Sequence, residues 1–133
     1  MSWLWLDLNR LHIQPLETSL CLPAISQGAL AVECREEDEE LRQLLATVQD
    51  EKTAAEVEVE RAVLAQMNAD CTFPIAAFAQ KKGQDYQLEA MLAKEDGQCV
   101  FVSLQGQDGQ ELAKQAVRQL ADKGAVGMPW LKK

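Results

Sequence analysis

Apolar residues recur with a helical period in three stretches of this chain. The first stretch places Leu41, Leu44, Leu45 and Val48 on one face, and the last runs from Glu111 to Lys123. Between them, the segment from about Lys52 to Met67 has an apolar side made of Ala55, Val59, Ala62, Val63 and Met67. The pattern therefore predicts three helices, the second capped by Asp50 or Thr53 and the third ended by Gly124.

Three apolar runs between the second and third helices have the length and flanking turns of strands. They are Phe73–Gln80, Tyr86–Leu92 and Cys99–Leu104. The turn signals are Lys81-Lys82-Gly83 after the first run and Glu95-Asp96-Gly97 after the second. Consecutive strands joined by short turns form an antiparallel sheet. The expected fold is α+β, with a small three-stranded antiparallel sheet covered on one face by about three helices.

The first 37 residues follow a different pattern. Leu4, Leu8 and Leu11 share a helical face, which predicts a short helix from Trp3 to His12, and prolines then interrupt the chain. The apolar run Ala29–Arg35 reads as a strand. We therefore expect two units, with residues 1–37 as the remnant and hinge strand of a preceding domain and residues 38–133 as one α+β domain.

Composition narrows the class of protein. Of the 133 residues, 47% are hydrophobic and 26% are charged, which is ordinary for a soluble globular protein. No apolar run approaches the ~20 residues of a membrane span, and no signal-peptide pattern is present, so we expect a cytoplasmic protein without a membrane partner. The net charge of −8 argues against a nucleic-acid partner, because phosphate binding needs a basic patch.

The cysteines are not arranged as metal ligands. Cys21, Cys34, Cys71 and Cys99 form no C-x-x-C pair, and His12 is the single histidine, so we expect free thiols and no metal site. Cys34 and Cys99 lie in apolar strand-like runs, which predicts that both are small buried hydrophobes.

Two longer segments carry a family resemblance. Leu22–Arg35 reads LPAISQGALAVECR, and Glu60–Ala79 reads ERAVLAQMNADCTFPIAAFA. In order and spacing they resemble the C-terminal part of hydroxymethylbilane synthase, also called porphobilinogen deaminase. The resemblance extends from about Leu16 to Lys123, and its most specific parts are Pro23-Ala24, Gln27-Gly28-Ala29-Leu30, Glu33-Cys34-Arg35, Glu60-Arg61 and Cys71-x-x-Pro74-Ile75.

The resemblance implies a transferase of tetrapyrrole (haem) biosynthesis. That family joins four porphobilinogen molecules into hydroxymethylbilane with loss of ammonia, and the polypyrrole grows on a covalent dipyrromethane cofactor. Cys71 occupies the position of the cysteine that holds this cofactor through a thioether. The family's catalytic carboxylate belongs to N-terminal domains that this chain lacks, so no catalytic residue is expected here, and the isolated chain is expected to be inactive.

Three further residues are candidates for cofactor contact. Gln27 and Gly28 are expected to shape the hinge between domains, and contact with the growing chain is their alternative role. The cofactor bears carboxylates, which need Arg or Lys donors. Arg35 is the main candidate, with a structural role equally open, whereas Arg61 is expected to act with Glu60 in holding the helix to a neighbouring loop.

Two positions depart from the family pattern, and both concern the cofactor site. Asp70 and Ser26 stand where the family usually has glycine, and a glycine there can supply a positive φ. Asp70 and the preceding helix C-terminus both disfavour a thiolate at Cys71. The local chemistry therefore suits an anchor that reacts once better than an activated nucleophile.

Other interpretations remain open at this point. The chain could be a non-catalytic α+β interaction module derived from that domain, or it could complement a separately encoded N-terminal part. It could also be an unrelated α+β domain. Without a preceding domain, residues 1–37 would expose apolar surface and could mediate self-association.

Overall fold

The computed structural model describes residues 12–67, 74–94 and 96–124. Its elements follow the predicted order. They are α1 (Glu39–Ala46), α2 (Glu51–Gln66), β1 (Ile75–Lys82), β2 (Asp85–Ala93), β3 (Cys99–Gly106) and α3 (Gly109–Gly124). The helix predicted from Trp3 to His12 lies outside the described residues, apart from His12 itself.

The three strands form one antiparallel sheet in the order β1-β2-β3. Its register aligns Ala77 with Ala90 and Ala90 with Val102. A two-residue loop joins β1 to β2, and its Gly83 has a φ of 67°, a conformation that glycine adopts without strain. The predicted hairpins are therefore confirmed.

Helices α2 and α3 pack on one face of this sheet and close the core. The fully enclosed side chains include Val63 from α2, Leu88 and Leu92 from β2, and Leu120 from α3. Helix α1 has no buried residue, so α2 and α3 supply the covering layer. The expected α+β class with a three-stranded antiparallel sheet is confirmed.

Side-chain caps fix where the first two helices begin. The carboxylate of Asp38 accepts a hydrogen bond from Leu41 N–H at 3.1 Å, and that of Asp50 accepts from Thr53 N–H at 2.7 Å. Capping satisfies a backbone donor that the first turn of a helix leaves free. Of the two caps proposed for α2, Asp50 is the one used, and the hydrogen bond from Thr53 lowers the pKa of Asp50.

Two sequence-based expectations were wrong. Ala29–Arg35 is not a strand: in the described part of the chain no strand pairs with it, and Leu30 is 99% exposed. A strand-like sequence forms a strand only where a neighbour satisfies its backbone. Cys99 is exposed because it points to the sheet face away from the helices, and Cys34 is only half-buried.

The domain boundary after residue 37 stays a prediction. In residues 12–67, 74–94 and 96–124 no helix combines the length and the apolarity needed to cross a membrane.

Candidate functional site

The connection between α2 and β1 contains Cys71, the predicted attachment residue. Both ends of this connection are held by the fold. Met67 caps the C-terminus of α2 and is buried, while the carbonyl of Pro74 accepts a hydrogen bond from Ala93 N–H at 2.9 Å. Cys71 and Asp70 lie between them, outside the described residues, so their predicted roles stay predictions.

The electrostatic setting of this connection follows from the helix that precedes it. The C-terminus of a helix carries partial negative charge. The last turn of α2 holds no basic residue. Among the described residues, nothing in that turn offsets the negative end of the helix.

Gln27 and Gly28 lie together in a compact turn that runs from Pro23 to Ala29. Gln27 N–H donates to the carbonyl of Ala24 at 3.0 Å, and the Gln27 side chain returns the contact by accepting from Ala24 N–H at 3.0 Å. Gly28 has a φ of 85°, which favours glycine. The side-chain oxygen Oε1 of Gln27 thus stabilises the turn, although the residue as a whole is exposed.

Ser26 occupies a demanding position in the same turn. Its φ is 60°, and it is the non-glycine residue with positive φ in the described part of the chain. Its hydroxyl oxygen is buried with no hydrogen-bond partner. The backbone of this turn therefore does require the left-handed conformation that a glycine would adopt more easily.

The turn is joined to the rest of the fold by a residue that the sequence reasoning treated as secondary. Glu60, on α2, is only 6% exposed. Its Oε1 accepts from Ala79 N–H at 3.0 Å, and its Oε2 accepts from Ser26 N–H at 2.6 Å. Burial raises the pKa of Glu60, although both of these hydrogen bonds act in the opposite direction.

The expected pairing of Glu60 and Arg61 is half right. Glu60 does hold α2 to a neighbouring loop, but Arg61 is exposed. The sequence signal for Glu60 is its place three residues before Val63 and seven before Met67, which puts it beside the apolar side of α2, where a charged residue is unexpected.

Among the described residues, Arg35 makes no hydrogen bond or salt bridge to the turn Pro23–Ala29. It is exposed, and its carbonyl accepts from Asp38 N–H at 3.2 Å. A small cleft of about 170 Å³ is lined by Gln27 and Gly28 but not by Arg35. Within the described ranges, the guanidinium groups of Arg35 and Arg61 make no salt bridge.

A larger open groove of about 1050 Å³ separates the segment after the turn from α1 and α2. Its walls include Leu30, Val32, Leu45, Val48 and Val57. In residues 12–67, 74–94 and 96–124, no group of three or more His, Cys, Asp or Glu side chains is placed to hold a metal ion.

Comparison with known proteins identifies the family. The family model described as "Porphobilinogen deaminase, C-terminal domain" matches residues 54–123, more than half of the chain. A second model, described as "Porphobilinogen deaminase, dipyromethane cofactor binding domain", matches residues 6–43. The chain belongs to the porphobilinogen deaminase family, as its resemblance predicted.

Individual relatives agree with this assignment. The porphobilinogen deaminase of Streptococcus sanguinis (strain SK36) is 92% identical over 97% of this chain, which covers 42% of that protein. That of Geobacillus kaustophilus (strain HTA426) is 43% identical over 85% of the chain and 37% of the relative. That of Listeria monocytogenes serotype 4a (strain HCC23) is 36% identical over 91% of the chain and 40% of the relative. The chain thus spans about two fifths of the length of these relatives.

Proposed function

We propose that this chain is the C-terminal, cofactor-carrying part of a hydroxymethylbilane synthase, with dipyrromethane attached to Cys71. The observation that carries the proposal is the family match over residues 54–123, a range that includes Cys71, all of β1 and all but the first three residues of α2. In the complete enzyme, four porphobilinogen molecules are joined into hydroxymethylbilane with release of ammonia.

The residues of this chain suit attachment of such a cofactor, but they supply only part of its binding site. A thiol in the α2–β1 connection can form a stable thioether with a deaminated pyrrole. Carboxylates on the cofactor need cationic partners, and Arg35 and Arg61 are exposed cations without a salt bridge among the described residues. A chain of net charge −8 leaves the remaining cations to the N-terminal part of the enzyme.

Each predicted site residue then has a limited role. Cys71 anchors the cofactor. Gln27 and Gly28 form the turn that sets the N-terminal segment against the cofactor-carrying unit, and Arg35 offers a guanidinium to a pyrrole carboxylate. The acid/base carboxylate belongs to the N-terminal part, so the 133-residue chain alone does not turn over porphobilinogen.

A second candidate function is that of a partner that completes a separately encoded N-terminal part. The observation in its favour is the open groove beside Leu30 and Val32, two apolar residues that are 99% and 71% exposed. Apolar surface of this kind marks a contact that the chain alone does not make. A purely non-catalytic interaction module would use the same surface but would carry no cofactor.

The decisive experiment is the intact mass of the chain after co-expression with the N-terminal three fifths of the Streptococcus sanguinis relative. We expect a mass excess equal to one dipyrromethane, lost in Cys71→Ala. Cys99→Ala is the matched control, since Cys99 is an exposed thiol outside the proposed site, and it should keep the adduct. An unmodified wild-type chain in a folded complex, or an adduct that persists in Cys71→Ala, would overturn the attachment role.

A further inference from the structure

Glu60 connects three separate parts of the chain through one side chain. It lies on α2, its Oε1 accepts from Ala79 N–H on β1, and its Oε2 accepts from Ser26 N–H in the turn Pro23–Ala29. A buried carboxylate is costly unless its oxygens are hydrogen-bonded. Each oxygen of Glu60 accepts from one backbone N–H, so both halves of the buried carboxylate are satisfied.

A second glutamate on α2, Glu56, also binds the backbone of β1, but it makes no hydrogen bond to the turn. Strand β1 is at the edge of the sheet, and Oε1 of Glu56 accepts from Lys81 N–H at 2.7 Å. Glu56 and Glu60 therefore satisfy alternate backbone donors on that edge. Only Glu60 directs its second oxygen away from β1, to Ser26.

The contact to Ser26 is the main polar link between the N-terminal segment and the rest of the fold. Among the described residues, it is the only hydrogen bond between residues 12–37 and residues 51–124, and no salt bridge joins the two ranges. Ile25 adds apolar packing against the core. Among the described contacts, loss of the Glu60 hydrogen bond would leave that packing to hold the turn.

We propose that Glu60 is a positioning residue whose carboxylate clasps the turn Pro23–Ala29 onto α2 and β1. The consequence for the enzyme rests on the proposed function: the clasp sets Gln27 and Gly28 at a fixed place relative to the connection that carries Cys71. Glu60 is six residues from the end of α2, about 9 Å along the helix axis. The clasped turn and the start of this connection are therefore both fixed to α2, so a displaced turn changes its placement relative to that end of the helix.

The clasp can be observed in the unmodified chain by following backbone amide shifts in an NMR pH titration. An amide proton that donates to a carboxylate shifts when that carboxylate is protonated. We expect Ser26 and Ala79 to shift together with one midpoint, which burial of Glu60 places above the ordinary glutamate value.

Other titrating groups near the cleft are separable in the same spectra. Glu56 also lines the cleft, pairs with Lys52 at 3.2 Å and accepts from Lys81 N–H, so its carboxylate is followed at the Lys81 amide and not at Ser26 or Ala79. The carboxylate of Asp38 contacts another amide, that of Leu41. If Ser26 does not shift with Ala79, the clasp does not exist in solution, and this result requires no variant to fold.

The positioning role is tested with Glu60→Gln in the co-expressed complex described above. A glutamine has one acceptor oxygen, so it can keep only one of the two backbone donors. We expect hydrogen exchange at the Ser26 amide to speed up about tenfold and the rate of dipyrromethane loading per folded chain to fall about tenfold. Glu58→Gln, an exposed position on the same helix, should change neither.

The two proposals fail in different ways. If the wild-type complex never loads cofactor but the amide titration succeeds, the attachment proposal fails and the clasp stands. If wild-type and Glu60→Gln complexes load equally fast while exchange at Ser26 increases, the clasp exists but does not position the cofactor. Unchanged exchange at both Ser26 and Ala79 in a folded Glu60→Gln chain would reject the clasp.

Discussion

Ser26 combines two local costs in one residue. A left-handed backbone costs a residue with a side chain about 1–2 kcal/mol, and a buried hydroxyl without a partner costs about 1–3 kcal/mol. The φ of 60° and the buried Oγ place both costs in the turn that Glu60 holds. The turn is therefore kept in place against strain, by the Glu60 hydrogen bond and by the packing of Ile25.

Replacing this residue by glycine should stabilise the chain. Ser26→Gly removes both costs, but the freer glycine backbone loses about 0.5–1 kcal/mol more entropy on folding. The expected net gain in the free energy of unfolding is therefore at least about 1 kcal/mol, measured in urea. Ser26→Ala removes the hydroxyl but keeps the backbone strain, and it should gain less than glycine. A destabilised glycine variant would show that the serine hydroxyl is bonded in solution.

Glu60 makes the stability of the chain depend on pH with a defined sign. Burial raises its pKa in the folded state above the value of about 4.3 in an unfolded chain. Between these two values the folded state binds more protons, so the contribution of Glu60 to stability increases as pH falls from neutral through the folded pKa, and it levels off below the unfolded pKa.

The comparison with Glu60→Gln isolates this effect. The wild-type free energy of unfolding, minus that of the variant, should increase as pH is lowered through this window, by about 1.4 kcal/mol for each unit by which the pKa is raised. Denaturant unfolding at a series of pH values measures it, with Glu58→Gln as the exposed control. A difference that shrinks on acidification would mean that the hydrogen bonds, not burial, dominate the ionisation of Glu60.

Sequence reasoning at the residue scale worked where local chemistry decides and failed where tertiary contacts do. The cap at Asp50 follows from its place before an apolar period, and the structure confirms it. The role of Glu60 could not be derived in the same way, because its two donors come from residues 34 positions before it and 19 positions after it. Nor could the exposure of Cys99, which depends on which face of the sheet the helices cover.

At the scale of elements, every strand that has a partner was predicted to within two residues of its observed start and end. The strands β1 to β3 alternate or run apolar between turn residues, and each finds its neighbour along the chain. Ala29–Arg35 has an equally apolar sequence but no partner in the described part of the chain. A sequence with high β propensity can therefore lie outside a sheet when no neighbouring strand pairs with it.

The contact between α2 and α3 depends on a residue without a side chain. A Cβ at Gly109, where α3 begins, would overlap Cγ2 of Val59 on α2. Gly109→Ala should therefore destabilise the chain by about 1–3 kcal/mol despite the better helix propensity of alanine. Thermal unfolding measures this loss, and Gln110→Ala, at an exposed position of the same helix, should cost little.

A double variant tests whether the overlap with Val59 causes this loss of stability. In Gly109→Ala combined with Val59→Ala, the space freed by the shortened valine accepts the new methyl group, so the double variant should be less destabilised than the sum of the two single variants. Strict additivity would show that the two helices separate at this point in solution.

On the scale of the whole molecule, the chain divides into a closed core and an open side. The core is shared by α2, α3 and the sheet. The open side contains the groove next to α1 and the segment after Gly28, where Leu30 and Val32 are exposed. Because the chain spans about two fifths of its relatives, this side is where we expect the rest of the enzyme to bind.

The same surface should make the isolated chain associate with itself. Burying a leucine or valine stabilises a contact by about 1.5–3 kcal/mol, so Leu30→Ser combined with Val32→Ser should weaken self-association at least about tenfold in sedimentation equilibrium. Leu44→Ser is the matched control, because Leu44 is 65% exposed on α1 and does not line the groove. A wild-type chain that stays monomeric at high concentration would contradict the prediction. Suppression of the association by the N-terminal part of a relative would show that both partners use one surface.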